Sequence, residues 1–174
     1  MGMRVLMFGW EFPPLVSGGL GTACHGITRA LARLGHQLVF VMPQGEGAAA
    51  FPGLTIVSAS AVLGAAAAAR SFPSASADAP DPLPIRLVLH PYLTVRPPKN
   101  GVPAAREWPA DSLLSGAGGY GADLFTEVGR YGEAGGIVAA RTGFEVIHGH
   151  DWMAVPACLA ARRVSGRPFV LHVH

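Results

Sequence analysis

Residues 3–10, MRVLMFGW, form a near-continuous apolar run of strand length. A run without polar alternation fits a strand covered on both faces, which a parallel sheet between helical layers provides. The loop 11–21, EFPPLVSGGLG, follows with an acid, two prolines and three glycines, and opens onto a helical pattern from Leu20 to Leu34. Ile27, Ala30, Leu31 and Leu34 recur at helical spacing, and Gly35 stands where a C-terminal cap belongs. HQLVFVMP, residues 36–43, is a second buried strand stopped by Pro43. Strand, helix and strand make a crossover unit with parallel strands, and that constrains everything after it.

The rest of the chain extends this pattern. GLTIVS and IRLVLHPYL read as strands, and a helix is predicted from Asp123 to about Thr142 with Leu124, Val128, Tyr131 and Ile137 as its buried positions. A strand over 144–149, a helix from Trp152 to Val164 and a last strand over 167–174 complete the order. No internal repeat is present. The expectation is an α/β fold, Rossmann-like, with a doubly wound and mainly parallel sheet in a single domain over 1–174. The stretch around 59–82, rich in Ala, Ser and Pro, reads as a poorly ordered surface insertion, and 94–119 as loop.

Composition excludes several function classes. Half of the 174 residues are hydrophobic and 14% are charged, enough for one core. A formal charge of +2 and a pI near 8.8 suit an anionic small molecule but supply no basic stripe for nucleic acid. No stretch reaches the roughly 20 apolar residues of a membrane span, and the N-terminal run lacks a cleavage site, so a soluble cytoplasmic protein is expected. Cys24 and Cys158 read as small buried residues in a reducing compartment.

Ligands of open α/β sheets bind beyond the C-terminal ends of the strands. Three such ends carry unusual residues. In the first loop, Gly18 and Gly19 expose backbone N–H groups without a blocking side chain, and the helix behind them adds about half a positive charge, a setting for a phosphate or diphosphate. A dinucleotide fingerprint fits poorly, because Cys24 holds its third glycine place and the second strand ends in Met42 and Pro43 rather than an acid. The glycines could also serve only a turn and close helix packing. The other two ends are HGHDW and HVH. Alternate residues share a strand face, so His148 with His150 and His172 with His174 resemble paired metal ligands. No cluster of acids or cysteines completes that set, so no metal is expected, and His148 and His172 read as core histidines. Asp151 and His174, at the very tips, can accept sugar hydroxyls or tune charge at a reacting centre. Trp152 can cover an apolar sugar face or belong to the core.

Residues 3–43 resemble the opening of glycogen/starch synthase-type glycosyltransferases and the related group 1 sugar-nucleotide transferases, and 120–174 resemble the close of the same N-terminal domain. The resemblance implies a GT-B architecture in which this half supplies the acceptor surface and a glycine loop that reaches the donor phosphates. It implies retention of anomeric configuration and no cofactor. By motif it places Gly18 and Gly19 at the donor diphosphate, Asp151 and His174 as catalytic residues, and Glu11, Trp152 and His150 at the sugar or acceptor. The implied partners are a nucleotide-sugar donor of the UDP- or ADP-glucose type, a glycan acceptor, and a C-terminal donor domain. Two departures stand out. Leu15, Val16 and Ser17 occupy the place of the lysine that glycogen synthases carry before the paired glycines, which favours the broader group 1 relatives. No Glu has another Glu eight positions on, so the donor-site glutamate pair is missing and the domain is expected to be silent alone. A non-catalytic glycan- or nucleotide-binding module, a subunit of a split transferase, and a metal-dependent hydrolase are the alternatives.

Overall fold

The computed structural model describes residues 2–14, 18–45, 48, 50–70 and 124–174. Five parallel strands, β1 (Arg4–Phe8), β2 (Gln37–Met42), β3 (Leu54–Ser58), β4 (Val146–His150) and β5 (Phe169–His172), form one sheet in the order β3-β2-β1-β4-β5. Among the described residues four helices accompany them: α1 (Gly19–Arg33), α2 (Ala59–Arg70), α3 (Leu124–Arg141) and α4 (Val155–Ser165), the last preceded by a 3₁₀ turn over Trp152–Ala154. The sheet runs out from β1 in both directions, and the reversal of order lies between β1 and β4, where a doubly wound sheet opens its crevice.

Beyond the exposed Arg4 at its start, β1 is apolar because it is buried twice. Val5 and Met7 join Cys24, Leu38, Phe40 and Leu54 in the layer under α1. Leu6 and Phe8 join Val41, Ile147, Tyr131 and Cys158 in the layer under α2, α3 and α4. Side chains alternate between faces along a strand, so a strand covered on both sides has no position for a polar residue. Of the four predicted buried positions of α3, Val128 and Tyr131 are fully buried, whereas Leu124 and Ile137 pack against the core while partly exposed. Gly35 follows α1 at φ +83°, its N–H bonded to the Ala32 carbonyl at 2.9 Å, as a C-terminal glycine should be.

Tyr131 fixes α3 against the C-terminal ends of two strands. Its hydroxyl lies 2.9 Å from the Gly9 carbonyl and 2.6 Å from the Val41 carbonyl, and its ring meets Phe8 and Trp10 edge-on at 6.1 and 5.2 Å. One O–H carries one proton, so the two carbonyls share it. Burial pushes the phenol pKa well up, and the hydroxyl stays protonated.

The expected insertion at 59–82 needs correcting. Its first part, Ala59–Arg70, is α2, and Ala59 and Leu63 are buried in the core. Alanine has the highest helix propensity, and a run that reads as low complexity is also a run of helix formers. Ser60 ties the start of α2 to the end of β2, its hydroxyl donating to the Pro43 carbonyl at 2.7 Å. The remainder of that segment, the strand expected at 85–93 and the loop at 94–119 lie outside the described residues.

Helices α3 and α4 approach so closely that glycine is required between them. A Cβ on Gly135 would stand 2.8 Å from the backbone of Ala157, whereas one on Gly136 would meet only the Ala160 methyl at 3.6 Å. Gly135→Val is therefore expected to lower the unfolding free energy by about 1–3 kcal/mol through overpacking. Gly136→Ala, gaining helix propensity at an ordinary van der Waals contact, is expected to raise it by up to about 1 kcal/mol. Urea denaturation of the two variants checks the contrast.

Candidate active site

All five strands point the same way, so their C-terminal tips share one edge of the sheet. That edge gathers the loop before α1, the tip of β4 and the tip of β5. Gly18 is the N-cap of α1 with extended backbone (φ −160°), and Gly19 is its first residue. Both are exposed, and a Cβ on either would meet nothing within 4 Å. The helix begins with no side-chain cap and no acid in its first turn. Among the described residues its first N–H groups thus have no side-chain cap, and the helix itself cannot satisfy them. An anion is the complement such a terminus accepts.

Asp151 follows β4 at φ +61° and ψ 174°, a conformation that only glycine adopts readily. Holding an aspartate there costs on the order of 1–3 kcal/mol, and surrounding bonds must maintain it. Three of them do. Its N–H donates to the His172 carbonyl at 2.9 Å, its Oδ1 accepts the His174 N–H at 2.9 Å, and its carbonyl accepts the Ala154 N–H at 3.2 Å. The tips of β4 and β5 are thereby tied together through one residue.

The imidazoles of His148, His150, His172 and His174 occupy the same face of β4 and β5. His172 stacks on His174 at 4.3 Å between ring centroids, and His148 lies 4.4 Å from His150. Nδ1 of His150 and Nε2 of His174 are 3.1 Å apart, so one donates and the other accepts. His150 is fully buried, and desolvation, reinforced by the neighbouring imidazoles, holds its pKa down at about 3. His148 is shifted the same way, again chiefly by burial. His150 is therefore neutral at pH 7.

The residues expected at the site divide into two groups. Gly18, Gly19, Trp152 and His174 are exposed at the strand-tip edge, with Asp151 partly exposed beside them. Glu11 and His150 are buried, at 4% and 0% exposure, so neither presents itself at the surface. His150 touches His174 instead. His148 and His172 are not isolated core histidines but members of the cluster. One aromatic went unnoticed in the sequence: Phe125, 81% exposed, stands 5.9 Å from Trp152, itself 50% exposed. The available signal was a large apolar residue one place off the buried stripe of α3.

The comparisons with known proteins agree with this architecture. The family described as the starch synthase catalytic domain matches residues 4–174. The chain belongs to this family. The missing lysine before Gly18 accordingly does not remove it from the starch synthase type, although it favoured the broader group 1 relatives. Two glycogen synthases, from Mycobacterium tuberculosis strains CDC 1551 / Oshkosh and ATCC 25618 / H37Rv, are each 54% identical over 37 residues, which is 21% of this chain and 9% of theirs. The catalytic domain of starch synthase IV from Arabidopsis thaliana, bound to ADP and acarbose, superposes with a TM-score of 0.56 at 16% identity, covering all of this chain and 34% of that one. This starch synthase-type domain thus spans about a third of the solved relative and a smaller share of the curated ones. No described helix is long and apolar enough to cross a membrane.

The two thiols of this domain are buried and unpaired with each other. Burial raises the Cys24 pKa to about 12, with the negative charges of Asp151 and Glu11 adding to the effect, and burial alone raises Cys158 to about 12. Both pKa values exceed the unfolded value of 9.0, so the fold loses stability as pH rises from 9 towards 12. At pH 8 a disulfide reagent is expected to leave both cysteines untouched in the native protein and to react with two thiols after denaturation. A colorimetric thiol count before and after adding denaturant measures this.

Proposed function

We propose that the chain is the acceptor-side, N-terminal domain of a retaining glycosyltransferase that moves a glucosyl group from a nucleoside diphosphate glucose to a glycan. What carries the reading is the shared edge: an open glycine pair at the start of α1 and the Asp151–His174 tie, both at the strand-tip edge of a chain of the starch synthase family. The solved relative bound ADP and acarbose, a nucleoside diphosphate and an oligosaccharide mimic. In this reading Gly18 and Gly19 give their N–H groups to the donor diphosphate as the leaving group gains charge. Asp151 commits one carboxylate oxygen to the His174 main chain and offers the other to a sugar hydroxyl. The ring of His174 faces the reacting sugar, and His150 positions it through their shared hydrogen bond.

Trp152 and Phe125 form the acceptor platform. Their exposed faces are suited to the apolar side of a glucan ring, and aromatic contacts of this kind are worth about 0.5–1.5 kcal/mol each. The donor half of the cleft belongs to a second domain. Correct orientation of donor and acceptor supplies several kcal/mol of the barrier reduction, and it requires both walls.

Two measurements test the proposal. Maltoheptaose should bind the chain detectably by calorimetry, and Trp152→Ala or Phe125→Ala should weaken it about 2–12-fold, the equivalent of one aromatic contact. Labelled ADP- or UDP-glucose with a glucan primer should give no turnover with the isolated chain. Turnover at an ordinary enzymatic rate would overturn the division between two domains. Glucan affinity that both substitutions leave unchanged would overturn the platform.

A further inference from the structure

The histidines at the tips of β4 and β5 also form a second kind of site. His148 and His150 alternate along β4, and His172 of β5 pairs in register with His150, so their imidazoles leave the same face of the sheet. Each offers one ring nitrogen, and these three nitrogens lie within 4.8 Å of one another. We propose that His148, His150 and His172 together bind one borderline divalent cation of the Zn²⁺, Co²⁺ or Ni²⁺ class.

Three observations support the set. Metal–nitrogen bonds of about 2.0–2.1 Å put tetrahedral ligand atoms roughly 3.3–3.5 Å apart, so side-chain rotations moving the rings by about 1 Å close the site. The ligands are all imidazole, which selects late first-row metals over Mg²⁺ or Ca²⁺. The third point is His150 itself. It is fully buried, its Nδ1 meets His174, and its Nε2 has no hydrogen-bond partner among the described residues. A buried polar nitrogen left unpaired costs about 1–3 kcal/mol, and a cation on that nitrogen removes the deficit. His174, bonded to the other nitrogen of His150, then acts as the outer partner that orients a ligand ring. Three histidines leave a fourth position for water. Neither donor nor glucan enters this inference, so it stands or falls apart from the sugar-transfer reading.

The test uses the 174-residue chain, stripped of metal by chelation and dialysis. Titration with Co²⁺ is expected to produce the intense visible absorption of a tetrahedral site, saturating at one equivalent and bleached by Zn²⁺. Calorimetric Zn²⁺ affinity is expected to fall by more than about tenfold in His172→Asn and in the His148→Gln, His172→Asn double variant, since outer-sphere partners alone are worth 10–100-fold. His36→Ala, a histidine whose Nδ1 accepts the Met3 N–H far from the cluster, is expected to bind as the parent does. Circular dichroism verifies that each variant is folded, and the single His172→Asn substitution at the sheet edge keeps the test available should the double variant fail. Absence of a one-equivalent Co²⁺ spectrum, or an affinity equal in parent and variants, overturns the proposal.

Discussion

The position of β1 in the middle of the sheet governs this molecule. Flanked in parallel by β2 and β4 and covered on both faces, it aligns the tips of all the strands at one edge. Tyr131 reinforces the arrangement, because its hydroxyl holds the backbone just beyond β1 to the end of β2 and fastens α3 across both. The chemistry-bearing residues lie at that edge for a topological reason. Parallel pairing points every strand in the same direction, so the C-terminal tips share the edge beyond which ligands of open α/β sheets bind.

At the edge, ordinary stability is traded for arrangement. Asp151 occupies a backbone conformation that disfavours a side chain, and among the described residues His150 is buried with an unpartnered nitrogen and the first turn of α1 has no side-chain cap. Each departs from what local physics prefers. All three occur within one strand-tip region, while the core behind them follows the rules of packing closely. Such a concentration of local costs in one region is the pattern expected of a functional surface.

Most of the fold could be read before any coordinates. The apolar run of β1, the helical stripe of α1 ending at Gly35 and the buried pair Val128 and Tyr131 follow directly from periodicity and burial. The Ala-rich segment at 59–70 misled, because a sequence of low complexity gives no period to detect, and alanine signals helix only when something packs against it. The candidate site was partly legible. Gly18, Gly19, Asp151, Trp152 and His174 announced themselves by residue type at strand ends. Glu11 and His150 gave no sign of their burial, and Phe125 had no pattern linking it to Trp152, because nothing in the order of residues states which helix start lies beside which strand tip.

The sequence by itself determined the alternation of strands and helices, the parallel sheet and the family, since these rest on periodicities and motifs that are local along the chain. Only the tertiary structure decided that four histidines from two strands share one face and that Asp151 binds the main chain of His174. It also decided that one imidazole is sealed from solvent while its neighbour is open. Those facts depend on strand register and on what covers each face, and contacts between residues more than twenty places apart are fixed by the packing of the whole sheet.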